Sequence, residues 1–180
     1  MFKIRRAHQC DSTAIAPLIY EAIGDIANNL TNEADPDKII SALASLVEQK
    51  TNRHTFENTF VAEKNNEILG IVVLYDGKRG KQLDQLLAQQ LGVQIDIEAY
   101  DDEYYIDTIC VAKKARGQGI GTQLLKFAEN QARILNFNKL SLNVEREKIK
   151  ARMLYNKQGF IVTEPWTIID EEFHHMVKQL

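Results

Sequence analysis

Apolar residues recur along this 180-residue chain in two rhythms, one of period two and one of period near 3.6, and the switches between them divide it into strands and helices. Phe2 to Arg6 reads as a first strand. Asp11-Ser12-Thr13 then precedes Ile15, Leu18, Ile19 and Ile23 at helical spacing, which predicts an N-cap and a helix. A second helix is predicted near Pro36 to Gln49. Thr59 to Lys64 and Ile68 to Tyr75, joined by Asn65-Asn66, predict a β-hairpin. Lys81 to Leu91 carries Leu83, Leu86, Leu87 and Leu91 at helix spacing and stops at Gly92. Tyr104 to Val111 is rich in β-branched and aromatic residues, the composition of a buried strand. Ile120, Leu124, Ala128, Ala132 and Leu135 mark a helix, and Lys139 to Val144 alternates as a strand. Ala151, Leu154 and Tyr155 share one side of a helix that ends at Gly159. Phe160-Ile161-Val162 opens another strand, and Trp166 to Val177 supplies one or two more.

Composition bounds this α/β pattern. With 44% hydrophobic residues in 180, one domain over residues 1–180 with a single core is the natural reading. The longest apolar run, Ile68 to Tyr75, is too short to span a bilayer, and M-F-K-I-R-R lacks the apolar stretch of a secretion signal. A cytoplasmic location and no membrane partner are therefore expected. Cys10 and Cys110 stand apart, with neither metal spacing nor a disulfide framework, and Cys110 reads as a strand filler rather than a nucleophile. His8 and His54 are isolated, and His174-His175 would point to opposite faces of a strand, so no metal site is expected.

The candidate chemistry lies between the strand ending at Val111 and the helix beginning near Ile120. Arg116-Gly117-Gln118-Gly119-Ile120-Gly121 places three glycines in a strand-to-helix turn, where exposed N–H groups and the helix dipole suit a phosphate. A dinucleotide fingerprint would need a small residue where Thr122 stands and an acidic residue about 20 positions on, and a Walker loop would need Gly-Lys-[Ser/Thr]. Neither is present. The R-x-x-G-x-G pattern opening a helix resembles the acetyl-CoA pyrophosphate loop of the GNAT family of N-acetyltransferases.

A second string, A-x-x-L-Y-x-x-x-G-F from Ala151 to Phe160, is similar to that family's second cofactor motif. The resemblance covers most of the chain, with its motif-grade part at residues 104–160. It implies a mixed, largely antiparallel sheet of about six or seven strands flanked by helices. It implies acetyl-CoA as cosubstrate, with Arg116, Gly117, Gln118, Gly119, Ile120, Gly121 and Thr122 around the pyrophosphate. It also implies backbone donors at Ile109, Cys110 and Val111, Asn143 on the pantetheine arm, and Tyr155 as the acid that protonates the departing thiolate. One position departs: many relatives have Asn where this chain has Lys148.

Charge is polarised. Residues 111–157 carry a balance of +8, which leaves −11 for the rest of a chain whose net charge is −3. The basic half suits the phosphates of CoA, and the acidic half suits something cationic. Nucleic acid is not the expected partner, because zinc-finger spacing, RNP-type aromatics and basic runs longer than two are lacking. Asp96 to Asp107 holds six carboxylates and three tyrosines with no basic residue. Asp101 and Asp102 read as a solvated loop face. Asp107 interrupts a hydrophobic strand, where an ionisable group is costly unless paired or functional.

Acyl transfer to an amine needs a base to free the nitrogen lone pair and an acid for the leaving thiolate. Asp107 or Glu103, direct or through water, is the candidate base, and Tyr155 the candidate acid. The expected function is acetyl-CoA-dependent N-acetylation of a primary amine on a small cationic metabolite. A protein N-acetyltransferase and a non-catalytic acyl-CoA-binding sensor are the alternatives, and a homodimer stays open. The Asp76 to Ala99 excursion is compatible with a lid, a dimer contact or a surface decoration.

Overall fold

The structure is a computed structural model that describes residues 2–92 and 96–180. Asn65 and Asn66 both adopt left-handed backbone, at φ 51° and 61°, and close the turn between β2 (Thr59–Lys64) and β3 (Glu67–Asp76). β1 (Lys3–Arg6) pairs with β2, and β3 pairs with β4 (Tyr104–Val111), all antiparallel. β5 (Lys139–Glu145) lies parallel to β4, and β7 (Glu171–Gln179) runs antiparallel to both β5 and β6 (Ile161–Ile168). The result is one seven-stranded sheet in the order β1-β2-β3-β4-β5-β7-β6.

Helices cover both faces, which is why β3 is apolar almost throughout instead of alternating. On one face α5 (Ile120–Ile134) buries Ile120, Leu124, Leu125, Ala128 and Ala132 against Val72, Leu74, Ile106 and Leu142. On the other, α1 (Ser12–Ile23) and α3 (Pro36–Glu48) bury Ile15, Ile19, Ile39 and Leu43 against Val61, Ile71 and Cys110. The Asp35 carboxylate caps α3, and the Asp76 carboxylate caps α4 (Gly77–Leu91), which starts four residues before the expected Lys81. The side chains of Leu86, Leu87 and Leu91, and residues 93–95 within the excursion, lie outside the described residues. A short α2 (Ile26–Thr31) was not expected; its Ala27 and Leu30 are buried, but six residues are too few to show a period. At α1 the Asp11 side chain does not cap the helix: it accepts from the His8 N–H and from Arg5 instead.

Three irregularities shape the site. β4 and β5 are paired only from Tyr104 to Ile106 and from Leu140 to Leu142, so both strands continue beyond the point where they part. In the β3–β4 ladder Val73 faces Thr108 while Leu74 faces Ile106, which leaves Asp107 as the extra residue of a β-bulge. Finally, a Cβ on Gly77 would stand 2.0 Å from the Tyr100 carbonyl oxygen, so the start of α4 sits directly on the acidic segment that leads into β4.

Candidate active site

The parted strands enclose a cavity of about 730 Å³. Ile106 to Val111 of β4 and Leu142 to Glu145 of β5 form its walls, α6 (Ile149–Lys157) and the end of α1 close it, and the loop between α3 and β2 supplies one end.

At the basic end, Gly117 and Gly119 have φ of 77° and 78°, and a Cβ at either would meet nothing within 4 Å. The glycines therefore answer a demand of backbone conformation, and the space beside them is open. Gly119 is the N-cap of α5 and offers no capping side chain, so the first-turn N–H groups have no side-chain acceptor there. Of the loop, Arg116 and Gly121 line the cavity. Gly117, Gln118 and Gly119 continue from it at the surface, with Ile120 buried and Thr122 half-buried on the first turn of the helix. Arg116 is held by Glu21 at 2.6 Å and by the Val111 carbonyl at 3.1 Å. Lys148, the departure from the family pattern, donates to the Ala22 carbonyl at 3.0 Å and to Glu145, tying α6 to the end of α1.

Midway, Ile109, Cys110, Val111 and Tyr155 line the cavity together. Burial pushes the Cys110 thiol up to about 11, so it stays protonated and is no nucleophile. Burial likewise pushes the Tyr155 phenol up to about 12. The Tyr155 hydroxyl makes no hydrogen bond among the described residues and keeps its proton at neutral pH, the state an acid needs.

The acidic end is built on the bulge. Asp107 Oδ1 accepts from Tyr75 at 3.0 Å and Arg53 at 3.2 Å, and Oδ2 accepts from Thr108 at 2.8 Å and lies 3.1 Å from His54 Nε2. Burial raises its pKa, but His54 and Arg53 and the hydrogen bonds of His54 and Thr108 outweigh that and hold it far below the carboxylate range. Asp107 thus lines the cavity as an anion held by Arg53, Tyr75 and Thr108, which makes it a poor proton acceptor by itself. Arg53 also binds Asp84 of α4, with Nε 2.8 Å from Oδ1, and Glu98. Burial lifts Asp84 to about 6 despite the guanidinium it shares with two other carboxylates.

Glu103 is not brought to the cavity. It is 2% exposed, and it accepts from Ser141 at 2.8 Å, from the Tyr100 N–H at 3.1 Å and from His175 Nε2 at 3.1 Å. The other ring nitrogen of His175 faces Asn143 Oδ1 at 2.7 Å, so the ring bridges Glu103 and Asn143. Burial raises the Glu103 pKa, but His175 and Ser141 more than reverse it. Glu103 is therefore a brace between β4, β5 and β7, and a base role at the cavity is excluded by its position. Asn143 lines the cavity, yet its amide donates to the Glu98 carbonyl at 2.8 Å and to Tyr105 at 3.2 Å, so its side chain is committed to the same network.

Sequence reasoning missed Arg53, His54, Asp84 and Glu98. Thr51 to Thr55 reads as a polar loop, and neither its period nor its composition separates it from a solvated turn. The usable signal was indirect: six carboxylates in Asp96 to Asp107 without a cation required a partner from elsewhere in the chain. Among the described residues no group of His, Cys, Asp and Glu is arranged to hold a metal ion.

Comparison with known proteins agrees with this architecture. A solved acetyltransferase structure is 30% identical and superposes with a TM-score of 0.80, covering 98% of both chains. An N-acetyltransferase from Staphylococcus aureus Mu50 is 26% identical with a TM-score of 0.84, covering 97% of this chain and 99% of that one. GCN5-related N-acetyltransferase 6, chloroplastic, of Arabidopsis thaliana is 37% identical over 75 residues. That match takes in 42% of this chain and 26% of the plant protein, about a quarter of its length. The family model described as the acetyltransferase (GNAT) family matches residues 21–160, which include the glycine loop, the bulged strand and Tyr155. The chain belongs to the GNAT family of acetyltransferases.

Proposed function

We propose that this chain moves the acetyl group of acetyl-CoA onto a primary amine of a small cationic molecule. The observation that carries the reading is a single cavity with a phosphate-suited glycine loop at one end and an anionic wall at the other. Acetyl-CoA, as cosubstrate, supplies an activated thioester. The N–H groups from Gly117 to Thr122 and the positive end of α5 suit its pyrophosphate. The backbone from Ile109 to Val111, unpaired toward β5, suits the pantetheine amides and the thioester oxygen. Tyr155 holds a proton for the leaving sulfur.

The acceptor class follows from charge. Glu98 and Asp107 line that end and, together with Asp84 outside the lining, surround one guanidinium, that of Arg53, so the cluster carries two carboxylates in excess. Such a surplus favours an ammonium ion. Size supports a metabolite over a polypeptide. The segment before β4 is pinned across the β6–β7 hairpin by Trp166 Nε1 to the Ile97 carbonyl at 3.0 Å and by the Ile169 N–H to Asp96 at 2.8 Å, walling off the acceptor end.

The test is a thermal melt with and without acetyl-CoA on wild type and Gly119→Glu, followed by thiol release with a panel of diamines, amino sugars and amino-acid amides. At about 100 times the dissociation constant the ligand adds about 2.7 kcal/mol, a rise of roughly 5–10 °C that the mutant should lose. No rise at saturation would overturn the reading. A rise without thiol release from any amine would point to a binding module instead.

A further inference from the structure

We infer that His54 is the general base of this transfer, positioned by Asp107. The inference rests on the acetyl-transfer reading and names the group that reading still lacks, since Glu103 lies away from the cavity and Asp107 is held as an anion by Arg53, Tyr75 and Thr108.

His54 lines the cavity and is 3% exposed. Its Nε2 lies 3.1 Å from Asp107 Oδ2, and its Nδ1 is buried with no hydrogen-bond partner among the described residues. The Nε2 contact is close but poorly aligned, as base–orienter pairs commonly are before substrate draws them together. A carboxylate at Nε2 favours the tautomer with its proton there and leaves the Nδ1 lone pair free. A buried ring nitrogen without a partner, on a residue that lines the cavity, is the atom there that a bridging water or a substrate group would satisfy once the ring is drawn toward it.

The loop holds the ring firmly. The His54 N–H donates to Asn52 Oδ1 at 2.8 Å, Asn52 Nδ2 donates to the Leu46 carbonyl at 2.9 Å, and Asn58 Nδ2 donates to the Arg53 carbonyl at 3.1 Å. The charged and titratable groups gathered around it are Asp107 from β4, Tyr75 from β3, Asp84 from α4, Glu98 from the segment before β4, and Arg53 beside it. All four carboxylate and phenol neighbours engage either Arg53 or Asp107, whereas the His54 ring nitrogens have no hydrogen-bond partner among the described residues.

The steps balance. The acceptor ammonium passes one proton to His54 Nδ1 through a bridging water. The freed lone pair forms the C–N bond to the acetyl carbon while the C–S bond breaks and the sulfur takes the Tyr155 hydroxyl proton. The second proton shed by the new amide nitrogen returns to Tyr155 through solvent, and His54 releases its own to water. The sum is one amide, one CoA thiol and one proton.

The experiment uses the full chain and the amine that gives thiol release with wild type. For His54→Gln, kcat is expected to fall by about 100-fold or more, with the acid limb of the kcat/KM profile lost and the acetyl-CoA melting shift retained. For His54→Ala, added imidazole should restore activity with a dependence on its free-base concentration. Nitrogen-15 NMR of the resting wild type should find His54 protonated at Nε2 and bare at Nδ1, and Asp107→Asn should redistribute that tautomer. His54→Gln with kcat within about threefold of wild type and an unchanged acid limb would overturn the inference, as would a resting ring protonated at Nδ1 alone. Wild type that releases no thiol with any amine would instead defeat the acetyl-transfer reading, and this inference with it.

Discussion

A single guanidinium, Arg53, is shared by three carboxylates, and the two most buried of them respond unequally. Asp107 is held ionised by His54 and Arg53, whereas desolvation wins at Asp84 and lifts it to about 6. A carboxyl whose folded pKa lies above its unfolded value of about 3.9 stabilises the fold below that value, and the contribution is lost as pH rises through about 6. Asp84 therefore makes the protein less stable as pH climbs from about 4 to about 6, by about 2–3 kcal/mol in all. The Asp84→Asn variant should lose that slope, so its melting temperature relative to wild type should rise across the same window. Parallel pH profiles of the two proteins would show that Asp84 is not raised. Single residues of this kind are what the sequence conceals. Asp107 stood out because it broke an apolar strand, but Arg53 and His54 sit in a polar loop whose burial is decided by chain partners 31 to 54 positions away.

At the scale of elements the strands and long helices were legible, since their periods are imposed by burial on two faces of one sheet. What escaped was contact between elements. α4 begins where Gly77 meets the Tyr100 carbonyl and donates to the Glu103 carbonyl at 2.9 Å, so one helix start fixes the acidic segment that carries Glu98 and Glu103. Nothing in G-K-R-G announces that role. Gly77→Ala forces its methyl group onto backbone that cannot rotate away, an overpacking cost of about 1–3 kcal/mol. The melting temperature should drop by about 2–12 °C, and turnover should fall with it as Glu98 shifts from Arg53. A variant as stable and active as wild type would show that the segment yields freely at this contact. The bulge at Asp107 was equally hidden, because one extra residue in a strand leaves no trace in an alternating pattern already blurred by burial on both faces.

For the whole molecule, the polarity of charge along the chain reappears as polarity along the cavity, from Arg116 at one end to Glu98 and Asp107 at the other. That much was readable from composition, because a surplus of +8 in one stretch must face something. The resemblance carried by the glycine loop and the string from Ala151 to Phe160 supplied the fold; the acceptor chemistry had to wait for the chain to close. The parting of β4 from β5 has one more consequence. Beyond Ile106 and Leu142 each strand has a bare edge, yet these edges lie in the middle of a sheet of seven, where edges are normally covered. A sheet interrupted at its centre is two sheets sharing a short hinge, and the molecule becomes continuous only when something fills the gap. Those amide hydrogens of Asp107 to Val111 and of Asn143 to Glu145 that point into the gap should exchange with deuterated solvent faster than those of β3 in the free protein, and slow sharply once acetyl-CoA is bound. Equal exchange in both states would mean that the fork closes on itself; a slowed state would make the visiting molecule, for the length of one turnover, the missing strand.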